Sequence, residues 1–315
     1  MNTTLTYKRT IKTLIGVFAC IYIVFFALFG EIALTASKEG LAVFHATVLP
    51  VILPFGVAVA FLRYTFLTEI NHLLYPVRKR LNLSQTGLVS TFFGILSGYP
   101  VGTKTAVTAF KNGRIDYREL FLVICLTALP SPILTVTCIG KFGYKSLLVG
   151  VIMLLSQILS TAIAYKFFTA ERTVTLPPLT NKRVNFNDYV FANCSAIAVS
   201  ASLTIFFYTT VYIAISFFDL NEILDNALII GLFSGLIETN YGCNIITLVI
   251  SPTSVAICNF ILTLGGLPIL LQNYIYLKEI KIRTVKFFKF KLLQSLFCFI
   301  ITFLSITLFY YLPLI

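Results

Sequence analysis

The sequence predicts an all-α integral membrane protein, a polytopic helical bundle with two inverted-topology repeats that each contain a re-entrant helical hairpin and a broken helix. Of the 315 residues, 58% are apolar and only 11% are charged, so the chain lacks the polar surface that a soluble domain of this size needs. Long apolar runs alternate with short basic segments. Two of these runs are interrupted by glycine and polar residues. We therefore expect a multi-pass protein of the cell membrane, with the lipid bilayer as its first partner.

The uninterrupted apolar runs predict the spanning helices. A helix of about 20 apolar residues crosses a hydrocarbon core about 30 Å thick, and residues 14–34 and 189–218 are two such runs. Spanning helices are predicted at 11–35, 42–66, 118–140, 144–168, 188–218, 252–276 and 290–313. The first run follows three basic residues but is too long for a signal-peptide core, so it is predicted to stay as a transmembrane helix.

The interrupted runs, 85–112 and 226–250, are predicted to be hairpins that enter and leave the membrane on the same side. With that assignment the basic loops all fall on the cytoplasmic side, as the positive-inside rule requires. The cytoplasmic bases are Arg78, Lys79, Arg80, Lys111, Arg114, Arg118, Arg172, Lys182, Arg183, Lys278, Lys281, Arg283 and Lys286. The outer loops carry mainly acids, namely Glu31, Glu39, Asp219, Glu222 and Asp225. The N-terminus and residue 106 are therefore predicted to be cytoplasmic, and residue 226 external.

The same assignment predicts an internal repeat. Residues 42–168 and 188–315 each read as helix, hairpin, helix, helix, but the first block starts outside and the second inside. A Gly-x-x-Ser-Gly motif occurs near the tip of each hairpin, at residues 94–98 and 231–235. The predicted organisation is an N-terminal transmembrane helix outside the repeat (1–41), the first repeat (42–168), a cytoplasmic linker (169–187) and the second, inverted repeat (188–315).

Breaks in the helices predict a lined cavity. Unpaired backbone groups cost several kcal/mol in hydrocarbon, so broken helices persist only against protein or a water-filled cavity, and transporters place solute and ion sites at such breaks. The stretch "GILSGYPVGTK" at 94–104 contains three glycines and a proline. Its glycines alternatively serve only close helix packing. Packing does not account for Pro100 or for the neighbouring polar residues.

Glu238 is the strongest single candidate for function. It follows the second Gly-x-x-Ser-Gly motif inside an apolar stretch, where a carboxylate costs about 2.5 to 3.5 kcal/mol on insertion scales. One interpretation gives it a proton, cation or solute as partner; the other places it in water at the outer interface. Lys104 occupies the corresponding region of the first hairpin and is expected to snorkel to the cytoplasmic face.

Two helices that follow the hairpins are predicted to be broken. In "ALPSPILTVTCIG" both prolines flank Ser131, and neither can donate a helix hydrogen bond. In "LTLGGLPILLQN" the break falls at Gly265, Gly266 and Pro268. Ser131 is therefore a candidate to line the cavity or to make a local hydrogen bond between helices.

Several functions are disfavoured by the sequence. Ser97 has no base expected within reach, since the two histidines, His45 and His72, both precede it, so no catalytic residue is predicted. We also predict no metal site and no cofactor, because neither metal-ligand spacing nor a phosphate-binding loop occurs. The bases form no continuous face for nucleic acid; those from Lys278 to Lys291 are expected on the cytoplasmic surface against anionic lipid.

Four segments resemble the YlbJ-like sporulation integral membrane proteins of the nucleoside recognition (Gate) domain family. They are "GILSGYPVGTK", the Ser-Pro of "LPSP", "GLIETNYG" and "GGLPILLQ" followed by a basic turn and a last helix, and the likeness covers roughly residues 45–310. The resemblance implies a Gate-type bundle of two inverted halves and a role in transport or in spore formation. The family pattern has a pair of asparagines where this chain has Ala128 and Leu129, so the resemblance predicts neither a shared substrate nor retained transport activity.

The breaks and the resemblance together give the candidate residues for binding a solute or an ion. These are Ser97, Gly98, Tyr99, Pro100, Gly102, Thr103, Ser131, Ser234, Glu238, Thr239 and Asn240. The predicted function is alternating-access transport of an unknown small polar or anionic solute, coupled to a proton or cation. The alternative is a non-transporting sporulation or membrane-assembly protein that keeps the Gate scaffold. The sequence leaves open whether the protein forms a homo-oligomer or binds a membrane protein partner.

Overall fold

The computed structural model describes residues 2–65, 70, 72–139, 147–168, 186–218, 226–280 and 284–311. In these residues the chain is helical. The helices, in chain order, are α1 Asn2–Leu28, α2 Gly30–Val43, α3 Leu49–Thr65, α4 Tyr75–Leu81, α5 Gln85–Ser97, α6 Val101–Lys111, α7 Tyr117–Thr127, α8 Pro132–Ile139, α9 Leu147–Lys166, α10 Phe186–Phe217, α11 Ala227–Ile237, α12 Thr239–Ile246, α13 Pro252–Leu264, α14 Gly266–Lys278 and α15 Thr284–Tyr311. A π-helical segment, Phe44–Val48, joins α2 to α3.

The chain is a multi-pass helical membrane protein. Within the described residues, five spans are long and apolar enough to cross a bilayer: Tyr117–Val136, Leu147–Lys166, Cys194–Phe217, Pro252–Lys278 and Thr284–Phe309. A sixth is formed if the bent pair Gly16–Leu28 and Gly30–Ala46 is counted as one span. These helices present large apolar side chains such as Ile23, Leu155 and Leu304 on their outer surfaces, which suits contact with lipid tails.

The N-terminal region differs from the prediction. A single helix over 11–35 and a second over 42–66 were expected, but the chain turns at Phe29 with a bend of 107° and then runs on without a loop through α2, the π-helical segment and α3. The polar stretch after residue 35 consists largely of residues that a helix tolerates well. It therefore continues the helix, and Ala33, Ala36 and Gly40 lie buried on α2.

The two interrupted stretches each form a pair of short helices that pack against each other. The first pair is α5 and α6, joined through Gly98, Tyr99 and Pro100; the second is α11 and α12, joined through Glu238. Their helices have 13, 11, 11 and 8 residues, each too short to cross a bilayer alone.

Glycines bring the two helices of each pair together. A Cβ on Gly94 would lie 3.2 Å from the Cα of Gly102, and a Cβ on Gly242 would lie 2.3 Å from the Cα of Gly235. Helix backbones can approach this closely only where small residues meet. The Gly-x-x-Ser-Gly motif therefore meets a glycine of the following helix in both pairs.

The open ends of the two pairs, opposite their breaks, pack against different parts of the bundle. The first open end lies in an apolar cluster with Leu83, Phe110, Ile115, Leu277 and Phe287. Many of the basic residues are close in sequence to members of this cluster. One of them, Lys111 at the end of α6, forms a salt bridge with Glu279. The second open end lies in another cluster, formed by Val149, Cys243, Ile246, Val255 and Ile306.

Helix α9 leads from the second open end to a third apolar cluster. Its beginning, at Val149 and Met153, contributes to the cluster at the open end of the second pair. Its other end, at Ala164, packs near Phe121 and Phe290. The predicted linker is outside the described residues except for 186 and 187, which begin α10.

Candidate functional site

The helix breaks converge on one cavity. Its lining comes from four helix breaks, which separate α5 from α6, α7 from α8, α11 from α12 and α13 from α14, and from α10 and the π-helical segment. The lining residues are Val48, Ser97, Tyr99, Ser131, Leu134, Ser200, Thr204, Glu238, Thr239, Asn240, Leu262, Gly265, Pro268 and Ile269. The cavity offers about 40 Å³ to the centres of water molecules. Because one water needs about 10–15 Å³ on this measure, the space holds a few waters or a small ion.

Glu238 is the acidic residue of the cavity wall. It adopts an extended conformation between α11 and α12 and is only 1% exposed. Its carboxylate accepts hydrogen bonds from the backbone N–H of Tyr241, at 2.7 Å, and from Nδ2 of Asn240, at 3.0 Å. Glu238 is thus the N-cap of α12, where the positive end of the helix favours a negative charge.

Thr239 and Ser131 add hydroxyl groups to the same wall. The Oγ1 of Thr239 is buried and has no hydrogen-bond partner among the described residues. Ser131 directly precedes α8, and its Oγ accepts a hydrogen bond from the N–H of Leu134 at 3.2 Å. A buried hydroxyl without a partner is costly, so Thr239 is suited to bind a group that enters the cavity.

Tyr99 connects the break between α5 and α6 to the two broken helices, α7–α8 and α13–α14. Its N–H donates to the carbonyl of Leu129 at 2.7 Å. Its hydroxyl donates to the carbonyl of Leu262 at 3.0 Å. Both carbonyls lie where a helix ends or has just ended, so they lack the usual partner four residues further on. The tyrosine therefore closes one side of the cavity and satisfies helix-end carbonyls in both halves of the chain.

Gly98 allows the first hairpin to reach the break between α7 and α8. It has a φ of 68°, and a Cβ there would lie 2.4 Å from the backbone nitrogen of Ser131. A positive φ and a backbone contact at this distance both require glycine. Gly98 therefore holds Ser97 and Tyr99 beside Ser131.

The remaining predicted residues do not line the cavity. Pro100 precedes α6 and is buried at the first break. Gly102 and Thr103 are buried on the first turn of α6, where Gly102 packs against Thr127. Ser234 is buried on α11, and its carbonyl accepts from the N–H of Glu238 at 2.7 Å. The cavity thus brings together Ser97, Tyr99, Ser131, Glu238, Thr239 and Asn240.

The chain matches no protein-family model, no curated protein and no solved structure.

Chemically, the cavity offers hydroxyl groups, one carboxylate and the beginning of α12. Within the described part of the chain, no three His, Cys, Asp or Glu side chains form a group that could hold a metal ion. The beginning of a helix carries a partial positive charge. The Glu238 carboxylate already caps this end of α12. The arrangement can therefore bind a small polar group among the hydroxyls, with Glu238 as its acidic partner.

Lys291 corrects one prediction. It was expected on the cytoplasmic surface with the other bases that begin at Lys278, but its side chain is 0% exposed. Its Nζ donates to the carbonyls of Ala128 and Thr263, at the ends of α7 and α13. The helical spacing of the buried residues Phe287, Lys291, Gln294 and Cys298 is the signal that could have indicated its inward position.

Two other features were missed in the sequence. Ser200 and Thr204 line the cavity from α10, and their spacing of four residues places them on one helix face. The broken helices also share the pattern Leu-Thr-x-x-x-x-Pro-Ile-Leu, at residues 126–134 and 262–270. This second repeat signature covers both breaks and both carbonyl groups that Lys291 contacts.

Proposed function

We propose that this protein is a secondary transporter of the Gate type, which binds a small polar or anionic solute in the cavity between its helix breaks and exposes it alternately to the two sides of the membrane. The convergence of four helix breaks on one cavity is the observation that carries this proposal. Broken helices at the centre of inverted repeats form the binding sites of many secondary transporters.

The proposed inverted repeat is supported by the order and packing of the elements. The hairpin α5–α6 and the broken helix α7–α8 precede α9, as α11–α12 and α13–α14 precede α15. Glycine contacts inside both hairpins and the shared Leu-Thr-x-x-x-x-Pro-Ile-Leu pattern favour a common origin of the halves.

The proposed orientation is supported by the charges. The open end of the first hairpin packs beside the basic segments, and its Lys111 pairs with Glu279 directly after α14. The open end of the second hairpin packs against the beginning of α9, whose other end approaches Phe290. With the basic segments on the cytoplasmic side, the first hairpin enters from the cytoplasm and the second from outside, and the N-terminus is cytoplasmic.

The size of the cavity limits the solute in this conformation. About 40 Å³ suits a small ion or a few waters, whereas pockets for drug-sized ligands measure about 300–1,000 Å³. A solute as large as a nucleoside would bind only after the two halves separate. Inorganic ions and small polar metabolites are therefore the first solutes to test.

Glu238 is proposed to couple transport to a proton or a cation. Its carboxylate is almost fully buried beside the unpartnered Thr239 hydroxyl. Ionisable side chains buried in membrane proteins are typical members of proton relays and ion pathways, so Glu238 is the group at which a proton or a cation would be exchanged as a solute moves past it.

A flux assay tests the proposal. The purified protein is reconstituted in liposomes, and uptake of inorganic anions, metal ions, amino acids and nucleosides is measured with and without a pH gradient. We expect uptake of at least one solute, and Glu238→Gln to reduce it to the rate of protein-free liposomes. Glutamine can still accept the N–H of Tyr241, so the fold is retained. Glu279→Gln, at the exposed salt bridge, is the matched control and should leave uptake unchanged.

Two results would overturn this function. If Glu238→Gln transports like the unchanged protein, Glu238 serves only as the N-cap of α12. If no solute is taken up and a membrane protein co-purifies with the chain, the alternative of a non-transporting assembly protein replaces transport.

A further inference from the structure

We propose that the ends of the two broken helices form a binding site for a monovalent cation, and that the side-chain ammonium of Lys291 occupies this site permanently. The site lies where α15 packs against the breaks between α7 and α8 and between α13 and α14. It does not depend on transport, because its test measures stability.

The site is built from carbonyl groups of both halves. Ala128 is the C-cap of α7, and Thr263 lies one residue before the end of α13. The last four carbonyls of a helix have no partner within that helix, and together they carry a partial negative charge. In both broken helices this negative end stops inside the protein, at residues that are 0% exposed.

Lys291 supplies the positive charge for both ends. Its Nζ hydrogen bonds with both carbonyls, and among the described residues no carboxylate lies within 4.0 Å of it. A buried ammonium without these two carbonyl partners would be strongly destabilising. Backbone carbonyls at helix ends are the ligands that bind alkali cations in transporters with broken helices. The ammonium therefore takes the place of a free ion.

Tyr99 completes the arrangement. It donates to the carbonyls of Leu129 and Leu262, which are the chain neighbours of Ala128 and Thr263. Thus a residue of the first half and a residue of the second half each bind both broken helices. Cys125 and Cys298 lie nearby and complete the surroundings of the ammonium.

If Lys291 served only as a structural cross-link, another side chain that fills the space could replace it. If its ammonium occupies a cation site, that site should accept a free ion once the lysine is shortened. The test compares Lys291→Ala, which opens the site, with Lys291→Met, which keeps the volume without the charge. The melting temperature of each purified variant is measured in the chlorides of sodium, potassium, ammonium, methylammonium and choline at constant ionic strength. Lys289→Ala, at a neighbouring exposed residue, is the matched control.

We expect Lys291→Ala to gain a saturable stabilisation of about 2–4 °C from at least one small cation relative to choline. The unchanged protein, Lys291→Met and Lys289→Ala should show no such difference. If Lys291→Ala shows no difference, or if all four proteins respond equally, the cation site is wrong.

A second readout applies if Lys291→Ala is recovered unfolded in choline chloride. Membranes are then solubilised in ammonium chloride and in choline chloride, and the monodisperse fraction is compared. The proposal requires a larger fraction in ammonium chloride, and equal fractions would overturn it.

Discussion

Tyr99 and Lys291 bind neighbouring carbonyl groups at the same two helix breaks. Tyr99 contacts Leu129 and Leu262, and Lys291 contacts Ala128 and Thr263. Tyr99 comes from the first half of the chain and Lys291 from its last helix. The breaks that expose backbone groups to the cavity are therefore held by side chains from both halves. Changes at these contacts should affect the whole bundle rather than one helix.

We expect Tyr99→Phe to destabilise the protein by about 1–3 kcal/mol, because the carbonyl of Leu262 would lose its partner in a buried position. The melting temperature in detergent measures the effect. Tyr75→Phe removes a hydroxyl from a tyrosine that is 50% exposed and should leave the melting temperature unchanged. Equal melting temperatures for the two variants would show that the contact of Tyr99 with Leu262 contributes nothing to stability.

We expect Gly98→Ala to prevent correct folding. The added Cβ would lie 2.4 Å from the backbone nitrogen of Ser131 and 2.9 Å from the carbonyl carbon of Pro130, and backbone atoms cannot move aside as a flexible side chain can. The positive φ of 68° adds strain for any residue but glycine. The yield of monodisperse protein by size-exclusion chromatography measures the effect.

The control for this prediction is Gly16→Ala, since a Cβ on Gly16 has no atom within 4 Å. Its yield should equal that of the unchanged protein. A normal yield of Gly98→Ala would mean that the first hairpin does not approach Ser131 as closely as the structure places it.

Part of this architecture could be predicted from the sequence because its causes are local. Apolar length predicts the spans, and Gly and Pro predict the breaks at residues 98–100, 130–132 and 265–268. Six of the candidate residues meet at the cavity because each lies at or directly beside a break. The role of Glu238 as an N-cap is also local, since its partners are Asn240 and Tyr241.

Other features could be predicted only in part because their causes are distant in the sequence. Lys291 follows a basic segment and would ordinarily extend to the membrane surface. It turns inward because the carbonyls of Ala128 and Thr263, which lack a partner within their own helices, lie there. These residues are 163 and 28 positions away along the chain. The bend at Phe29 likewise has no strong local signal, and the helix after it continues through a stretch whose polar residues suggested a loop.

Cysteine accessibility at the open ends of the two hairpins tests the central claim most directly. Single cysteines are placed at the exposed residues Gln85 and Thr108 of the first hairpin and Asn226 and Leu248 of the second, in a background where Cys20, Cys138 and Cys194 are replaced by serine. Intact cells are treated with a membrane-impermeant maleimide, before and after permeabilisation.

We expect the cysteines at 226 and 248 to react in intact cells and those at 85 and 108 to react only after permeabilisation. Both ends of each hairpin would then lie on one side, and the two hairpins on opposite sides. Labelling of all four positions from the same side, or of the two ends of one hairpin from different sides, would contradict the inverted pair of hairpins on which the proposed transport depends.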